Sequence, residues 1–256
     1  MKIVVAIKQV PARDSFLRVD AGGTWIQDSD LSYEINEPDA YALEAGLQLR
    51  EKSGGEVIVI SAGPARVAST IREALAKGAD RAIHVVEENE AGADPLTTAR
   101  LIAKALESEK PDLILTGLQS DDFGYGQTGV ILAETMRLPH ATIIMSVEIE
   151  GTSLRLKREL ENGYFQHVEM PLPALLTMQS GSNKLRYATL MGIKKAKTKE
   201  IRAVAAAELG GPGPASVHID RVYMPERSKQ SQIFDGPPRE AAAKLVEKLK
   251  FEARVL

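Results

Sequence analysis

The segment from Gly117 to Thr128 reads Gly-Leu-Gln-Ser-Asp-Asp-Phe-Gly-Tyr-Gly-Gln-Thr and has the make-up of a phosphate loop: glycine-rich, after a strand-like run and before a helical pattern. A helix starting near Gly126 aims unpaired N–H groups and the positive end of its dipole at an anion, and Gln127 and Thr128 add side-chain donors. That suffices for a phosphate without a lysine. A plain glycine-rich turn has the same spacing, so the loop alone leaves both readings open. Asp121 and Asp122 allow three chemistries. A metal would need further oxygen ligands that the sequence does not show. A general acid or base would need a partner, and none of His84, His140, His167 and His218 is a sequence neighbour. Bracing of the loop by Asx-type bonds to backbone N–H groups, or positioning of a ligand, is favoured.

Alternating strands and helices must hold this loop. Ile3 to Ile7 is a β-branched run suited to a strand covered on both faces. Residues 11 to 35 are irregular. A helix follows in which Asn36 or Glu37 caps, Pro38 suits the first turn, Asp39 adds negative charge, Tyr41, Ala45 and Leu49 repeat at helical spacing, and Gly54-Gly55 stops it. Strands at Glu56–Ser61, Ala82–Val86 and Asp112–Thr116 alternate with helices bearing Val67/Ile71/Leu75 and Ala99/Ile102/Leu106, and a last helix covers about Gly126 to Met136. This predicts an open, mainly parallel α/β sheet, doubly wound. Ligands of such sheets bind at the carboxyl ends of the strands, which Lys8–Pro11, Ser61–Pro64, Val85–Glu88 and Gly117–Thr128 reach.

Beyond Pro139 the pattern alternates through Met178, with turns at Gly151-Thr152 and Asn162-Gly163, and predicts an antiparallel meander. Ser180 to Lys199 shows no period but carries Lys184, Arg186, Lys194, Lys195, Lys197 and Lys199. The apolar Tyr-Ala-Thr-Leu-Met beside these charges reads as a solvated face or as a protein anchor with electrostatic steering. Gly210 to Pro214 is a linker, and about Pro238 to Lys250 is one amphipathic helix. The domain expectation is a core with meander over 1–180, an arm over 181–202, and a linker with a docking helix over 203–256.

Lys52 to Val57 resembles a pyrophosphate loop, but Gly54-Gly55 closes a helix there instead of opening one. Walker, G-x-S-x-G and H-E-x-x-H patterns do not occur, so no catalytic residue is assigned. The 256 residues hold 44% hydrophobic, 26% charged and 5% aromatic residues at net charge −3, which does not point to nucleic acid. The chain has no cysteine, which excludes disulfides, thiolate catalysis and cysteine-held zinc or iron–sulfur centres. The opening apolar run is too short for a signal peptide or a span, so a cytoplasmic protein without membrane insertion is expected.

Taken in order, Val-Val-Ala-Ile-Lys-Gln-Val at the start, Asn36 to Lys52, Ser61 to Ala65 with Thr70 to Val85, Asp112 to Asp122 with Gly126 to Gly129, Arg158 to Gly163, Leu172 to Thr177 and Arg186 to Lys199 resemble the beta subunits of electron transfer flavoproteins over nearly the whole chain. The loop is nearer the non-bifurcating, AMP-binding group than the group with a second FAD. The resemblance implies an adenine-nucleotide alpha-hydrolase-like fold, a heterodimer whose alpha subunit holds most of one FAD, and structural AMP in the beta subunit. It places AMP on Ala6, on Asn36, Glu37, Pro38 and Asp39, on Ala62, and on Gly117, Gln119, Ser120, Asp121, Asp122, Phe123, Gly124, Tyr125, Gly126, Gln127 and Thr128. It places Arg158 and Glu159 toward the flavin domain, and Arg186, Tyr187, Leu190, Met191, Lys194 and Lys195 on a face for acyl-CoA dehydrogenases or other flavin dehydrogenases, with Leu190 as anchor. Electrons would pass on to a flavoprotein-quinone oxidoreductase. No metal is implied. A bifurcating subunit with a second FAD, or a stand-alone adenine-nucleotide enzyme or sensor, are the alternatives. Phe123-Gly124-Tyr125 is explained by neither the residues nor the resemblance.

Overall fold

The β-branched runs become strands of one sheet because both their faces are covered. A computed structural model describes residues 1–89, 93–225 and 231–256. The chain divides into two units, Met1–Val222 and Tyr223–Leu256. The first unit begins with β1 (Lys2–Ala6), β2 (Gln9–Pro11), β3 (Tyr33–Ile35), α1 (Glu37–Ser53), β4 (Glu56–Gly63), α2 (Val67–Lys77), β5 (Arg81–Val86), α3 (Pro95–Leu106), β6 (Leu113–Gly117) and α4 (Thr128–Met136). It continues with β7 (His140–Glu150), β8 (Ser153–Glu159), β9 (Phe165–Pro171), β10 (Ala174–Met178), α5 (Leu190–Ala196) and β11 (Ile201–Ala205). The large sheet runs β11-β5-β4-β1-β6-β10-β7-β8-β9. Pairing is parallel from β11 through β10 to β7, and antiparallel only along β7, β8 and β9.

Successive side chains along each parallel strand enter opposite layers. Ile3, Val5, Val59 and Leu115 pack with Leu43 and Leu47 of α1 and Ile71 and Leu75 of α2, whereas Val4, Ile58, Ile60 and Ile114 pack with Ile102 of α3 and Leu132 of α4. The sheet is therefore doubly wound, as its sequence predicts. The chain steps from β1 to β4 and β5 on one side, then returns so that β6 lies against the other flank of β1. The strand order reverses between β1 and β6, and ligands of open α/β sheets bind at such a point.

Several elements differ from the sequence reading. Ala174–Met178 is not the last strand of an antiparallel meander: it lies parallel between β6 and β7, and all five residues are buried. Two-sided burial explains its continuous apolar run. The stretch read as lacking a period contains α5, too short to display one, and ends at β11, an edge strand parallel to β5. Residues 11 to 35, read as irregular, include β3 and the end of β2, which pair antiparallel. The helix after the loop starts at Thr128 because Gly126 has a φ of 63° and Gln127 stands at the N-cap. On α1, Ala45 and Leu49 are buried, but so are Ala42, Leu43 and Leu47, and Tyr41 is only half-buried. Between β10 and β11 the chain runs along α1, where Arg186 bonds Glu44 and Glu51.

The second unit carries α6 (Pro238–Phe251). Its apolar Leu245, Val246 and Phe251 are exposed, as are Val255 and Leu256.

Leu115 is fully buried in the central strand β6. Leu115→Ala is expected to lower unfolding free energy by about 2–5 kcal/mol, read from urea unfolding, with an unaltered denaturant slope.

Candidate functional site

The floor of the site is built by one carboxylate. Asp39 lies in the first turn of α1, and burial against the strand ends leaves it 6% exposed. Its Oδ2 accepts from the Lys8 N–H at 2.7 Å, just past β1, and its Oδ1 accepts from the Gly117 N–H at 2.8 Å, at the end of β6. It thus ties together the two strands between which the order reverses. Gly117 is required here, because a Cβ would stand 2.3 Å from Asp39 Oδ1 and 2.7 Å from Pro38 Cβ. Asn36 holds the N-cap position but does not cap with its side chain. Instead its amide donates to the Gln119 carbonyl at 2.9 Å and accepts from the Asp121 N–H at 2.9 Å. The neutral Asn36 therefore shapes the loop in place of stabilising the helix end.

Over this floor lies a cavity of about 470 Å³. Ala6, Asn36, Asp39, Ala62, Gly117, Gln119, Ser120, Asp121, Asp122, Phe123, Tyr125, Gly126, Gln127 and Thr128 line it, whereas Glu37, Pro38 and Gly124 do not. At one end stands the N-terminus of α4, with no side-chain cap and no acidic residue in its first turn, so its leading N–H groups have no local acceptor. The helix sits close to the sheet: a Cβ on Gly129 would come within 2.6 Å of Thr116 Oγ1 and 2.8 Å of Thr177 Cγ2. The N-terminus of α3, by contrast, is closed by a capping box between Asp94 and Thr97. Asp94 also accepts from the Ser216 and Val217 N–H groups.

The two loop carboxylates are occupied by the protein. Asp122 meets Lys8 Nζ at 2.6 Å. Burial pushes the Asp122 carboxyl up, but the charge and hydrogen bond of Lys8, with bonds from Ser120 and the Phe123 N–H, hold it below the ordinary range. Asp121 accepts from the Glu37 N–H at 3.3 Å and lies 3.6 Å from Arg13, which also pairs with Glu37. Among the described residues no group of three or more acidic or histidine side chains is placed to hold a metal ion. His84 is buried against the Gly63 carbonyl, away from the Asp pair.

Many cavity residues were not predicted as site residues, among them Lys8, Trp25 and Arg66. Lys8 sits at a strand end that the switch-point rule identifies, but nothing local assigns it to Asp122. Trp25 and Arg66 also line the cavity. Trp25 lies 5.9 Å, centroid to centroid, from Phe123, which stacks on Tyr125 at 5.5 Å with an interplanar angle of 4°. Lys8 Nζ stands 4.8 Å from the centre of the Phe123 ring. The unexplained Phe123-Gly124-Tyr125 is therefore one side of an aromatic cluster, and Gly124, at a φ of 64°, makes the turn between its rings.

The remaining predicted residues lie elsewhere. Arg158 donates to Thr142 and Glu159 accepts from Gln179, both at the end of β8 and off the cavity. Tyr187, Leu190 and Met191 are 92%, 82% and 62% exposed, beside exposed Lys194 and Lys195. Arg186 differs from them: Glu44 at 2.7 Å and Glu51 at 2.6 Å hold its guanidinium on α1. Lys199 likewise donates to the Leu75 and Ala79 carbonyls and fastens the arm to α2.

Residues 24–209 match the family model described as the electron transfer flavoprotein domain. The chain is 36% identical over 257 residues to the electron transfer flavoprotein subunit beta of Methylophilus methylotrophus, covering 96% of this chain and 97% of that one. It is 36% identical over 266 residues to the subunit beta of Homo sapiens, covering 100% and 99%. For the subunit beta of Thermoanaerobacterium thermosaccharolyticum the identity is 37%, covering 97% and 98%. The chain belongs to the electron transfer flavoprotein beta-subunit family. The domain match includes the cavity loop, α4 and the whole arm, and begins after the site residues Ala6 and Lys8 at the end of the first strand. Among the described residues no helix is long and apolar enough to cross a membrane.

Burial raises the Asp39 carboxyl to about 7, against the pull of the Lys8 and Gly117 N–H groups. An acid whose folded value lies above its unfolded one stabilises the fold at low pH, and that contribution is lost as pH rises. Wild-type stability is thus expected to decline between about pH 4 and pH 7 through this group, and Asp39→Asn to lack the decline. Urea unfolding at stepped pH reads both. Asn also presents an N–H₂ group to one of the two backbone donors, and is expected to cost about 1–3 kcal/mol at pH 8.

Proposed function

We propose that this chain, as the beta subunit of a heterodimeric electron transfer flavoprotein, keeps AMP in its cavity as a structural ligand and supports an FAD held mainly by the alpha subunit. The observation that carries the nucleotide reading is the uncapped N-terminus of α4 at one end of a 470 Å³ cavity on the carboxyl edge of the sheet. A cavity of this size suits a small cofactor. The residues fit a phosphate: the leading N–H groups of α4, with Gln127 and Thr128, are donors without a local acceptor, and both nearby carboxylates are engaged by the protein. Ala6 and Ala62 leave room for a base beside the ends of β1 and β4.

A bound flavin supplies electron transfer, and the protein supplies placement and electrostatics. This chain contributes to placement through Arg158 and Glu159, which face the flavin domain, and through the apolar side chains of α6, which dock on the alpha subunit. The arm receives flavin dehydrogenases, acyl-CoA dehydrogenases in the first place, with Leu190 as anchor among Tyr187, Met191, Lys194 and Lys195. A small apolar contact steered by lysines forms fast and releases fast, as a shuttle serving several donors requires. Electrons then leave toward the quinone pool through a flavoprotein-quinone oxidoreductase. Arg186 acts in this scheme by fixing the arm on α1, which leaves the anchor exposed.

The complex co-expressed with its alpha subunit is expected to be yellow and to release one AMP per heterodimer on denaturation, measured by chromatography of the extract. A nucleotide-free complex rejects the reading, and a second FAD in place of AMP establishes the bifurcating alternative. Thr128→Val is expected to weaken AMP binding about tenfold or more by removing a donor to a charged group. Leu190→Ala is expected to slow electron acceptance from an acyl-CoA dehydrogenase while flavin and AMP contents stay at wild-type levels. An unchanged transfer rate would place the anchor elsewhere.

A further inference from the structure

The hairpin between β2 and β3 has the makings of a lid. Residues 12–32 contribute no buried side chain, yet Leu17, Trp25 and Ile26 line the cavity. Its tip is rigid in itself. Asp20 accepts from the Thr24 and Trp25 N–H groups, and Asp20 and Trp25 pair through their backbones at 2.8 Å. Among the described residues, what holds the hairpin over the cavity is instead a short set of contacts at its margins. Trp25 packs on Phe123, Arg13 reaches Glu37 and Asp121, and the Gly23 carbonyl accepts from the Val222 N–H at 2.8 Å. A segment with a preformed tip, no buried anchor and few marginal contacts opens as a unit at low cost.

Phe123 is the hub of that closure. It is engaged by Tyr125, by Trp25 and by the ammonium of Lys8. The same Lys8 holds Asp122 in the loop that carries Phe123. Loop and hairpin are thus joined by the Trp25–Phe123 ring contact and by the Arg13–Asp121 pair, and the loop side of the ring contact is braced by Lys8. Resting on the nucleotide reading above, we propose that residues 12–32 are a lid latched by Trp25 on Phe123, and that this latch sets how fast the nucleotide exchanges.

The test uses the complex with the alpha subunit, loaded with isotope-labelled AMP and chased with unlabelled AMP. Trp25→Ala and Phe123→Ala are expected to release label about tenfold or more faster, the size of effect that follows loss of an aromatic pair and its packing. Trp25→Phe, which keeps a ring, is expected to stay near the wild-type rate. Tryptic cleavage after Arg18 is expected to accelerate in the two alanine variants, a sign of lid opening that does not depend on the ligand. A wild-type complex without AMP overturns the nucleotide reading, and the exchange role with it, before any variant is made. A wild-type complex that holds AMP, with unchanged release in both alanine variants, overturns the latch alone.

Discussion

A buried carboxylate that accepts from two diverging strands organises the first unit around the cavity. Past β1 and β6 the chain leaves the sheet in different directions, and each strand end exposes a backbone N–H. Asp39 satisfies both, at Lys8 and at Gly117, where unpaired buried donors would otherwise be costly. The geometry leaves no room for a side chain at Gly117. With the strand ends set, Asn36 at the start of the same helix fixes Gln119 and Asp121. One turn of α1 therefore determines where the loop begins and how it folds back.

The charges follow from that arrangement. Asp121 and Asp122 look wrong for a phosphate loop when read in line, because in line they face no cation. In space Lys8 arrives from the end of β1 and Arg13 from the start of the hairpin, and both carboxylates become internal partners. The N-terminus of α4 keeps its donors because no residue of its own first turn takes them, whereas α3 closes its end with Asp94 and Thr97. Two helices of the same layer thus differ in what they offer a ligand. The arm shows the same sorting of like charges. Arg186 and Lys199 are fastened to α1 and α2, while Lys194 and Lys195 remain exposed beside Leu190.

Much of the architecture was legible because it repeats locally. The β-branched runs, the Pro38 and Asp94-Pro95 helix starts and the Gly54-Gly55 stop identified the parallel core and its order of elements. The edge where the loop lies followed from the switch-point rule. Legibility failed where an element's role depends on a distant covering surface. Ala174–Met178 resembles the strands before it in composition, and only its place between β6 and β7 makes it central. β11 is a short edge strand with half-exposed residues, so no strong alternation marked it.

The sequence by itself determined the fold class, the family and the glycine-rich loop at the cavity edge, because each is encoded in short-range periodicity or in contiguous motifs. Tertiary structure alone decided the partners of those residues. That Lys8 serves Asp122, that Asp39 bridges two strand ends instead of decorating a helix terminus, and that Phe123 meets Trp25 are contacts between segments far apart in the chain. Such contacts depend on how strands order themselves in a sheet and on which loops that order brings together. The spacing of residues along a chain carries no record of that order, and so Phe123-Gly124-Tyr125 stayed unexplained until the fold brought Trp25 and Lys8 beside it.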